Sequence, residues 1–321
     1  MLRAAPGLLH AGFLLLAGGA SPLAAALADP PHVDIRFLGE HLPEAAQDAR
    51  AFALPWPDAA PAPGRWRPFV AAGWSSARTE FLDESGQLAA AGLERGFAGG
   101  RALVLFGFYD AFSVGGSSGE QVLSARFLAE APLDLPERAR FSNPRGDFRH
   151  YGVGAAWSWS VSAAAARRPW RAEAGLLLDR LTLDGYRLDY ELLGGADAGA
   201  RGVLDQSSAA TFVTPFVGIG RSVPLGARFV LVPRAVGGVP LPAGDFDGRL
   251  TGPGFDASSS DPGGRPGKIG DGFVGVSVGL RHAPSGLELD LGGALIFPFF
   301  EQTTHDGVDR AALVHLTWRG R

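Results

Sequence analysis

Residues Tyr151 to Val161 alternate between large and small side chains with a period of two. Tyr, Val, Ala and Trp occupy one side of the extended chain, and Gly, Ala and Ser occupy the other side. Alternation over about eleven residues is typical of a tilted strand that is long enough to cross a bilayer. The small face suits the interior of a barrel and the large apolar face suits lipid. The segment is therefore predicted to be a membrane-spanning strand.

Similar segments recur along the chain, and turn signals rich in Gly, Pro, Asp and Ser separate them. They predict about ten strands, which are Trp66–Phe81, Arg101–Phe112, Gln121–Ala131, Tyr151–Val161, Trp170–Leu183, Thr211–Val223, Arg228–Val239, Gly272–His282, Leu287–Phe299 and Ala311–Trp318. Connections after odd-numbered strands are long and the others are short, as in a barrel with both termini on one side. The predicted fold class is all-β, an antiparallel up-and-down transmembrane β-barrel. Eight strands, or twelve if Asp184 to Ser208 forms strands, are the alternatives.

The first part of the chain has the features of an exported protein. We expect residues 1–28 to be a signal peptide, with Arg3 before the apolar run Leu8 to Leu16 and a small-x-small site at Ala26-Leu27-Ala28. An uncleaved membrane anchor is the alternative. Residues 29–64 are rich in proline and show no sustained period, which predicts an irregular periplasmic extension or, alternatively, a plug inside the barrel. The barrel is predicted to span residues 65–321.

The two faces of the predicted strands carry different side chains. The large face carries aromatic residues that would form two girdles at the membrane interfaces, namely Trp66, Trp74, Tyr151, Trp157, Trp159, Trp170, Phe297, Phe299 and Trp318. The opposite face carries charged residues that would form a network in the lumen, namely Arg67, Arg126, Arg171, Glu173, Asp179, Arg234, Arg281, Glu288 and Asp290. Because a barrel of about ten strands has a narrow interior, we expect this network to close the lumen or nearly close it. The alternative is the ordinary aromatic core of a soluble β protein.

The last predicted strand carries alternating apolar residues at Ala312, Val314, Leu316 and Trp318. With the signal peptide and the amphipathic strands, this ending resembles the bacterial outer-membrane β-barrel proteins as a broad class. The class typically ends on an aromatic residue, whereas here Trp318 is followed by Arg319-Gly320-Arg321. The resemblance implies a location in the outer membrane. The implied partners are outer-membrane lipid, lipopolysaccharide and the barrel-assembly machinery.

Composition narrows the function classes. The chain has no cysteine, which excludes a disulfide framework and an acylated lipoprotein anchor and fits an exported protein. The net charge of −4 gives no reason to expect nucleic acid as a partner. No Cys/His cluster has the spacing of a metal site, and the acidic residues of the segment 240–271 lack the pattern of a calcium loop. We therefore expect no metal and no cofactor.

Enzymes that are built on outer-membrane barrels suggest a few catalytic candidates. Omptin-type proteases carry paired aspartates and an Asp-His pair on extracellular loops, which makes Asp245, Asp247 and His305 candidates, although their surroundings differ from that family. Outer-membrane phospholipases and lipid A deacylases use a His-x-Ser-Asn pattern, and Ser142-Asn143 lacks the histidine. A serine nucleophile needs a base within hydrogen-bond reach. The segment Ser142 to Gly146 is more simply interpreted as an extracellular turn, and His315 is expected to point inward.

These observations favour a non-enzymatic outer-membrane barrel. Its predicted role is structural, or a narrow pathway for small solutes or hydrophobic ligands, with recognition by extracellular loops. A barrel-borne hydrolase that acts on lipid or peptide is one alternative. A soluble exported barrel that binds a lipid-like ligand is the other.

Overall fold

The computed structural model describes residues 60–78, 82–116, 121–124, 138–161, 170–193, 199–243, 246–252, 255–261, 272–297 and 309–320. Within them the chain forms the strands β1 (Trp66–Arg78), β2 (Leu82–Phe97), β3 (Arg101–Gly116), β4 (Gln121–Ser124), β5 (Arg138–Ser160), β6 (Trp170–Leu192), β7 (Arg201–Arg221), β8 (Val223–Leu225), β9 (Phe229–Gly238), β10 (Leu241–Pro242), β11 (Phe246–Gly252), β12 (Phe255–Asp261), β13 (Gly272–His282), β14 (Leu287–Phe297) and β15 (Asp309–Arg319). No helix among these residues is long and apolar enough to cross a membrane.

Ten of these strands form a closed antiparallel barrel. Their order around the barrel is β1, β2, β3, β5, β6, β7, β9, β13, β14 and β15. The ring closes where β1 pairs with β15 and where β7 pairs with β9. The five remaining strands add to this barrel: β4 pairs with β5, β8 pairs with β9, β10 and β11 pair with β7, and β12 pairs with β11. The predicted fold class and strand number are confirmed.

The strands are staggered as closure requires. Register partners, the residues that lie opposite each other on neighbouring strands, can be followed once around the barrel. A path that starts at Gly220 of β7 passes Ser75 of β1 and returns to β7 at Ser208, which is 12 residues from the start. A stagger of this size in a barrel of ten strands corresponds to a tilt of about 40°. Partners in register therefore lie at different heights along the barrel axis.

The predicted number of strands is correct, but the predicted positions differ from the structure in two places. The sequence pattern predicts a connection where β2 lies, yet β2 pairs with β1 and β3 along its whole length. Its alternation is weak because Ala and Leu occupy both faces and glycine adds no contrast. In addition, Ala, Leu and Glu favour helix over strand. The predicted strand Gln121–Ala131 contributes only β4, and its residues 125–131 lie outside the described part.

The two ends of the barrel differ. β1 begins and β15 ends at the same end, which we call the termini end, and the opposite end is the loop end. The turns at the termini end are short, such as Ala98–Gly100 and residues 283–286. Most connections at the loop end are longer, as predicted, and the segment between β1 and β2 is the exception. Residues 1–59 and the question of a plug fall outside the described part, although the amide of Gly64 bonds to the carbonyl of Gly96 at 2.9 Å.

Three strands extend well beyond a bilayer crossing. β5 and β6 each have 23 residues and β7 has 21, about twice the number that crosses a bilayer. The interpretation of Ser142 to Gly146 as a turn is wrong, because these residues lie inside β5. An irregularity in the register follows Ser142, and Asn143 has a φ of 51°. Asn tolerates this left-handed conformation, so β5 continues through a bulge where the sequence suggested a break.

Candidate functional site

The lumen near the termini end is filled by ion pairs. Glu288 of β14 is completely buried and lies 2.7 Å from Arg234, 3.3 Å from Arg319 and 3.8 Å from Arg281. Glu94 of β2, also completely buried, lies 2.5 Å from the guanidinium of Arg67 and 3.8 Å from Arg319. We call these six residues, together with Asp290, the ion-pair network. Asp290 joins it through Arg234 at 3.5 Å.

Arg171 and Glu173 line the same end of the lumen from β6. Arg171 donates hydrogen bonds to the Ser158 hydroxyl at 2.6 Å and to the Gly100 carbonyl at 2.7 Å. Glu173 is buried and packs against the backbone of Gly218, where an added Cβ atom would overlap the carboxylate. These contacts tie β6 to β5, β7 and the turn between β2 and β3.

The structure brings seven of the nine predicted lumen charges to the termini end, namely Arg67, Arg171, Glu173, Arg234, Arg281, Glu288 and Asp290. Asp179 faces the lumen at a different height, and Arg126 lies outside the described residues. Sequence reasoning missed Glu94, because it lies in the unpredicted β2. It also missed Arg319, for which the sequence shows only that it follows the last aromatic residue.

Arg319 follows the outward-facing Trp318 and points into the lumen. Trp318 faces outward with 43% of its surface exposed, whereas Arg319 is 3% exposed and points inward. Because neighbouring residues of a strand face opposite sides, one more residue of β15 places a guanidinium between Glu94 and Glu288. The extra residue links β2 to β14 across the closing pair of strands.

An apolar layer fills the middle of the barrel. Its side chains are buried and come from strands on all sides of the lumen, namely Phe69, Ala71, Leu88, Ala90, Val104, Phe106, Phe108, Ala156, Leu177, Phe216, Phe273 and Ala294. The rings of Phe106 and Phe216 lie over Gly154 and Gly175, where an added Cβ atom would come within 2.6 Å of each ring. Aromatic rings thus cover glycines that would otherwise leave room for a thin channel.

A buried histidine lies between this layer and the loop end. His150 of β5 is 1% exposed, and its Nε2 lies 2.6 Å from Oδ2 of Asp179 on β6. Asp110 of β3 is the register partner of His150 and is completely buried. The ring of Phe108 packs edge-on against the imidazole. The cluster closes the lumen further and has no opening to a substrate among the described residues.

Aromatic side chains cover this cluster toward the loop end. Phe112 stacks on Phe148 with ring centroids 4.7 Å apart, and Tyr186 meets Phe148 edge-on. All three side chains are nearly inaccessible. From end to end the lumen thus holds an ion-pair network, an apolar layer, a buried Asp-His-Asp cluster and an aromatic cover.

The structure places the candidate nucleophile Ser142 far from the nearest histidine in the sequence. Ser142 is half-buried in β5, and His150 follows eight residues later in the same strand, roughly 27 Å away. This separation is far beyond a hydrogen bond. Asp247 lies in β11, but its side chain falls outside the described part, as do Asp245 and His305. His315 is buried in the lumen, and no group of three or more His, Asp or Glu side chains in the described part is arranged to hold a metal ion.

The outer wall carries the predicted aromatic residues at two levels. Trp66, Trp157, Trp170 and Trp318 lie near the termini end, and Trp74 and Tyr151 lie nearer the loop end, each between 38% and 48% exposed. Tyr109, the register partner of Tyr151, joins the second group. Trp159 is half-buried, the side chain of Phe297 is outside the described part, and so is Phe299. Between the levels the wall is lined by exposed Leu and Val, which we call the apolar band.

The loop-end halves of β5, β6 and β7 carry charges outward instead. Arg145 lies 3.1 Å from Asp189, Arg187 lies 2.6 Å from Asp205, and Glu191 lies 3.2 Å from both Arg140 and Arg201. These cross-strand pairs run along strands that continue past the apolar band. We call this part of the sheet the platform.

Comparisons with known proteins give no family for this chain. No family model matches the chain and no curated protein matches it. Among solved structures, the outer membrane protease OmpT of Escherichia coli is 8% identical, with 80% of this chain and 96% of that chain covered and a TM-score of 0.43. A major outer membrane protein of Thermus thermophilus is 13% identical, with 79% and 99% covered and a TM-score of 0.36. The toluene transporter TbuX of Ralstonia pickettii is 8% identical, with 81% and 90% covered and a TM-score of 0.28.

These similarities are too low to carry function, so the class of this chain rests on its own geometry. An even number of antiparallel strands that close into a barrel and an outward apolar band between two levels of aromatic residues are features of outer-membrane β-barrels. The predicted broad class is confirmed.

Proposed function

We propose that this protein is a non-conducting outer-membrane β-barrel that holds the platform above the membrane for recognition. One observation carries the proposal: the apolar layer closes the lumen across its middle, with Val104 and Leu177 completely buried and Phe273 at 1% exposure. Water and ions do not enter a close-packed apolar layer. The barrel therefore works as an anchor, and any recognition takes place outside it.

The outer wall supports the membrane location. On β14 the exposed leucines run from Leu287 to Leu295, and on β5 the exposed band runs from Tyr151 to Val161. At a tilt of about 40° these segments rise roughly 20–25 Å, which matches the height of the apolar band of outer-membrane barrels. A signal peptide at residues 1–28 would deliver the chain to the periplasm, with residues 29–64 remaining there.

No observation specifically favours the two alternative functions, a soluble lipid-binding barrel and a barrel-borne hydrolase. A soluble lipid-binding barrel needs an empty lumen for its ligand, and side chains fill this one. A hydrolase that uses Ser142 needs a base close to the hydroxyl, and His150 is eight residues along the same strand.

The first test is conductance. The full-length protein, recovered from the outer-membrane fraction with a heat-dependent shift in gel mobility, is expected to give no current steps in a planar lipid bilayer, because the apolar layer blocks the path. An open porin in the same bilayer shows that insertion and recording work. Regular current steps from the purified protein would contradict a sealed lumen, and recovery in the soluble periplasmic fraction would contradict the membrane location.

The second test concerns orientation and uses the absence of cysteine from the chain. Ser207→Cys places a thiol on an exposed position of the platform, and Ser285→Cys places one in the exposed turn between β13 and β14. On intact cells, a membrane-impermeant maleimide is expected to label the first variant and not the second, and to label both after lysis. Labelling of Ser285→Cys alone on intact cells would reverse the proposed orientation.

A further inference from the structure

Outward-facing arginines lie against aromatic rings at the termini end. The guanidinium of Arg95 lies 5.4 Å from the ring centre of Trp66 and 5.3 Å from that of Phe97. Arg101 is the register partner of Phe97 and is exposed beside it. Around the barrel, Arg221 lies 5.5 Å from the ring centre of Trp170, which is its register partner. We call these six residues the terminal rim.

The arginines of the terminal rim have no carboxylate within salt-bridge distance among the residues described. At the loop end, by contrast, Arg145, Arg187 and Arg201 are each paired with an aspartate or glutamate of a neighbouring strand. Among the described residues, arginines at the loop-end edge of the apolar band are therefore paired with carboxylates, and the arginines of the terminal rim are not.

The sequence shows the same asymmetry. The segments that close the termini end, residues 98–100, 161–169, 222–228, 283–286 and 319–321, together contain several arginines and no aspartate or glutamate. The segments 117–137, 239–271 and 298–308 at the loop end together contain several aspartates and several glutamates. The strand connections at the termini end therefore carry positive charge and no acidic residue, as the terminal rim does.

From this arrangement we propose that the terminal rim binds the phosphate groups of anionic phospholipids in the membrane leaflet at the termini end. An arginine whose guanidinium lies over an aromatic ring still has N–H groups for a phosphate, to which it donates paired hydrogen bonds. The rings themselves lie at the edge of the apolar band, where acyl chains meet headgroups. The proposal rests on the proposed membrane location.

A phospholipid fits the rim better than an acidic protein partner does. The guanidinium groups of Arg95 and Arg221 lie over the rings of Trp66 and Trp170, which face outward with 46% and 40% of their surface exposed. They also lie on two separate groups of strands, β1–β2–β3 and β6–β7, so that each group meets its own lipid. The phosphate of such a lipid can bind the arginine, and its acyl chains can pack against the aromatic rings.

The test measures headgroup preference. The full-length protein from the outer membrane is exchanged into mixed micelles of phosphatidylglycerol and phosphatidylcholine, and native mass spectrometry counts the lipids retained. We expect wild type to prefer phosphatidylglycerol by about fivefold for each arginine site, the effect of one arginine near an anionic surface. The double variant Arg95→Gln with Arg221→Gln should lose most of the preference, because only Arg101 of the rim arginines remains. Arg180→Gln, at the opposite edge of the band, should keep it.

Each other outcome overturns the inference. Equal retention of both lipids by wild type, or an unchanged preference in the double variant, would show that the rim does not select anionic headgroups. Displacement of the lipid by an equal concentration of inorganic phosphate would show a phosphate site that does not need a lipid. Loss of a co-purifying acidic protein in the double variant, with the lipid preference intact, would assign the rim to a protein.

Folding and location are checked separately. A heat-dependent mobility shift confirms that each variant is folded, and the wild-type lipid preference and phosphate competition stand even where a variant fails to fold. A protein absent from the outer membrane refutes the proposed function. A protein present there without the preference refutes only the lipid site.

Discussion

Replacing Glu288 with alanine is expected to lower the free energy of unfolding by about 3–5 kcal/mol. The carboxylate is completely buried and lies within 4 Å of Arg234, Arg281 and Arg319, of which Arg234 and Arg319 are themselves 8% and 3% exposed. Removal of the single acid leaves these guanidinium groups crowded in the lumen with less counter-charge. Urea unfolding of the barrel in lipid vesicles, followed by tryptophan fluorescence, measures the change.

Asp205→Ala is the matched control. Asp205 pairs with Arg187 at 2.6 Å on the platform, where both side chains are around half exposed. Water and salt screen such a pair, so its loss should cost less than about 1 kcal/mol. If the two variants are equally stable, the ion-pair network does not hold the termini end of the lumen together.

The strands with strong contrast between their faces could be predicted from the sequence alone. β13 and β14 place valine and leucine outward and glycine, serine or acid inward, so both their position and their facing follow from alternation. β2 could not be found this way, because its inward Gly86, Ala90 and Gly92 differ little from its outward Ala89 and Ala91. Only the neighbours β1 and β3 define it as a strand.

Which side chains meet in the lumen depends on the register between neighbouring strands, and this register cannot be predicted from the sequence pattern. His150 meets Asp179 because β5 and β6 pair in one particular alignment, and that alignment follows from closure of the whole ring. Alternation predicts that Asp179 faces inward but not which side chain it touches. In the same way, Arg319 has a role only because closure brings Glu94 and Glu288 to either side of it.

Phe106→Ala is expected to lower the free energy of unfolding by about 3–5 kcal/mol, because the ring belongs to the apolar layer and its loss leaves a cavity over Gly154. Leu105→Ala on the same strand is the control. Leu105 faces outward with 40% of its surface exposed, and lipid fills the space that a shorter side chain leaves, so no cavity forms and only the transfer energy of the lost carbons, about 2 kcal/mol, is expected to disappear. A soluble protein with its core on the outward face would show the opposite order.

The same cavity gives a second, independent measurement. An alanine Cβ atom at position 154 would overlap the Phe106 ring, so Gly154→Ala should cost about 1–3 kcal/mol in the wild-type background. In the Phe106→Ala background the ring is gone, and the same substitution should be neutral or stabilising because it fills part of the cavity. Urea unfolding of the two single variants and the double variant gives the coupling energy. A coupling near zero would mean that the ring of Phe106 does not lie over Gly154, and the sealed lumen would lose one of its principal contacts.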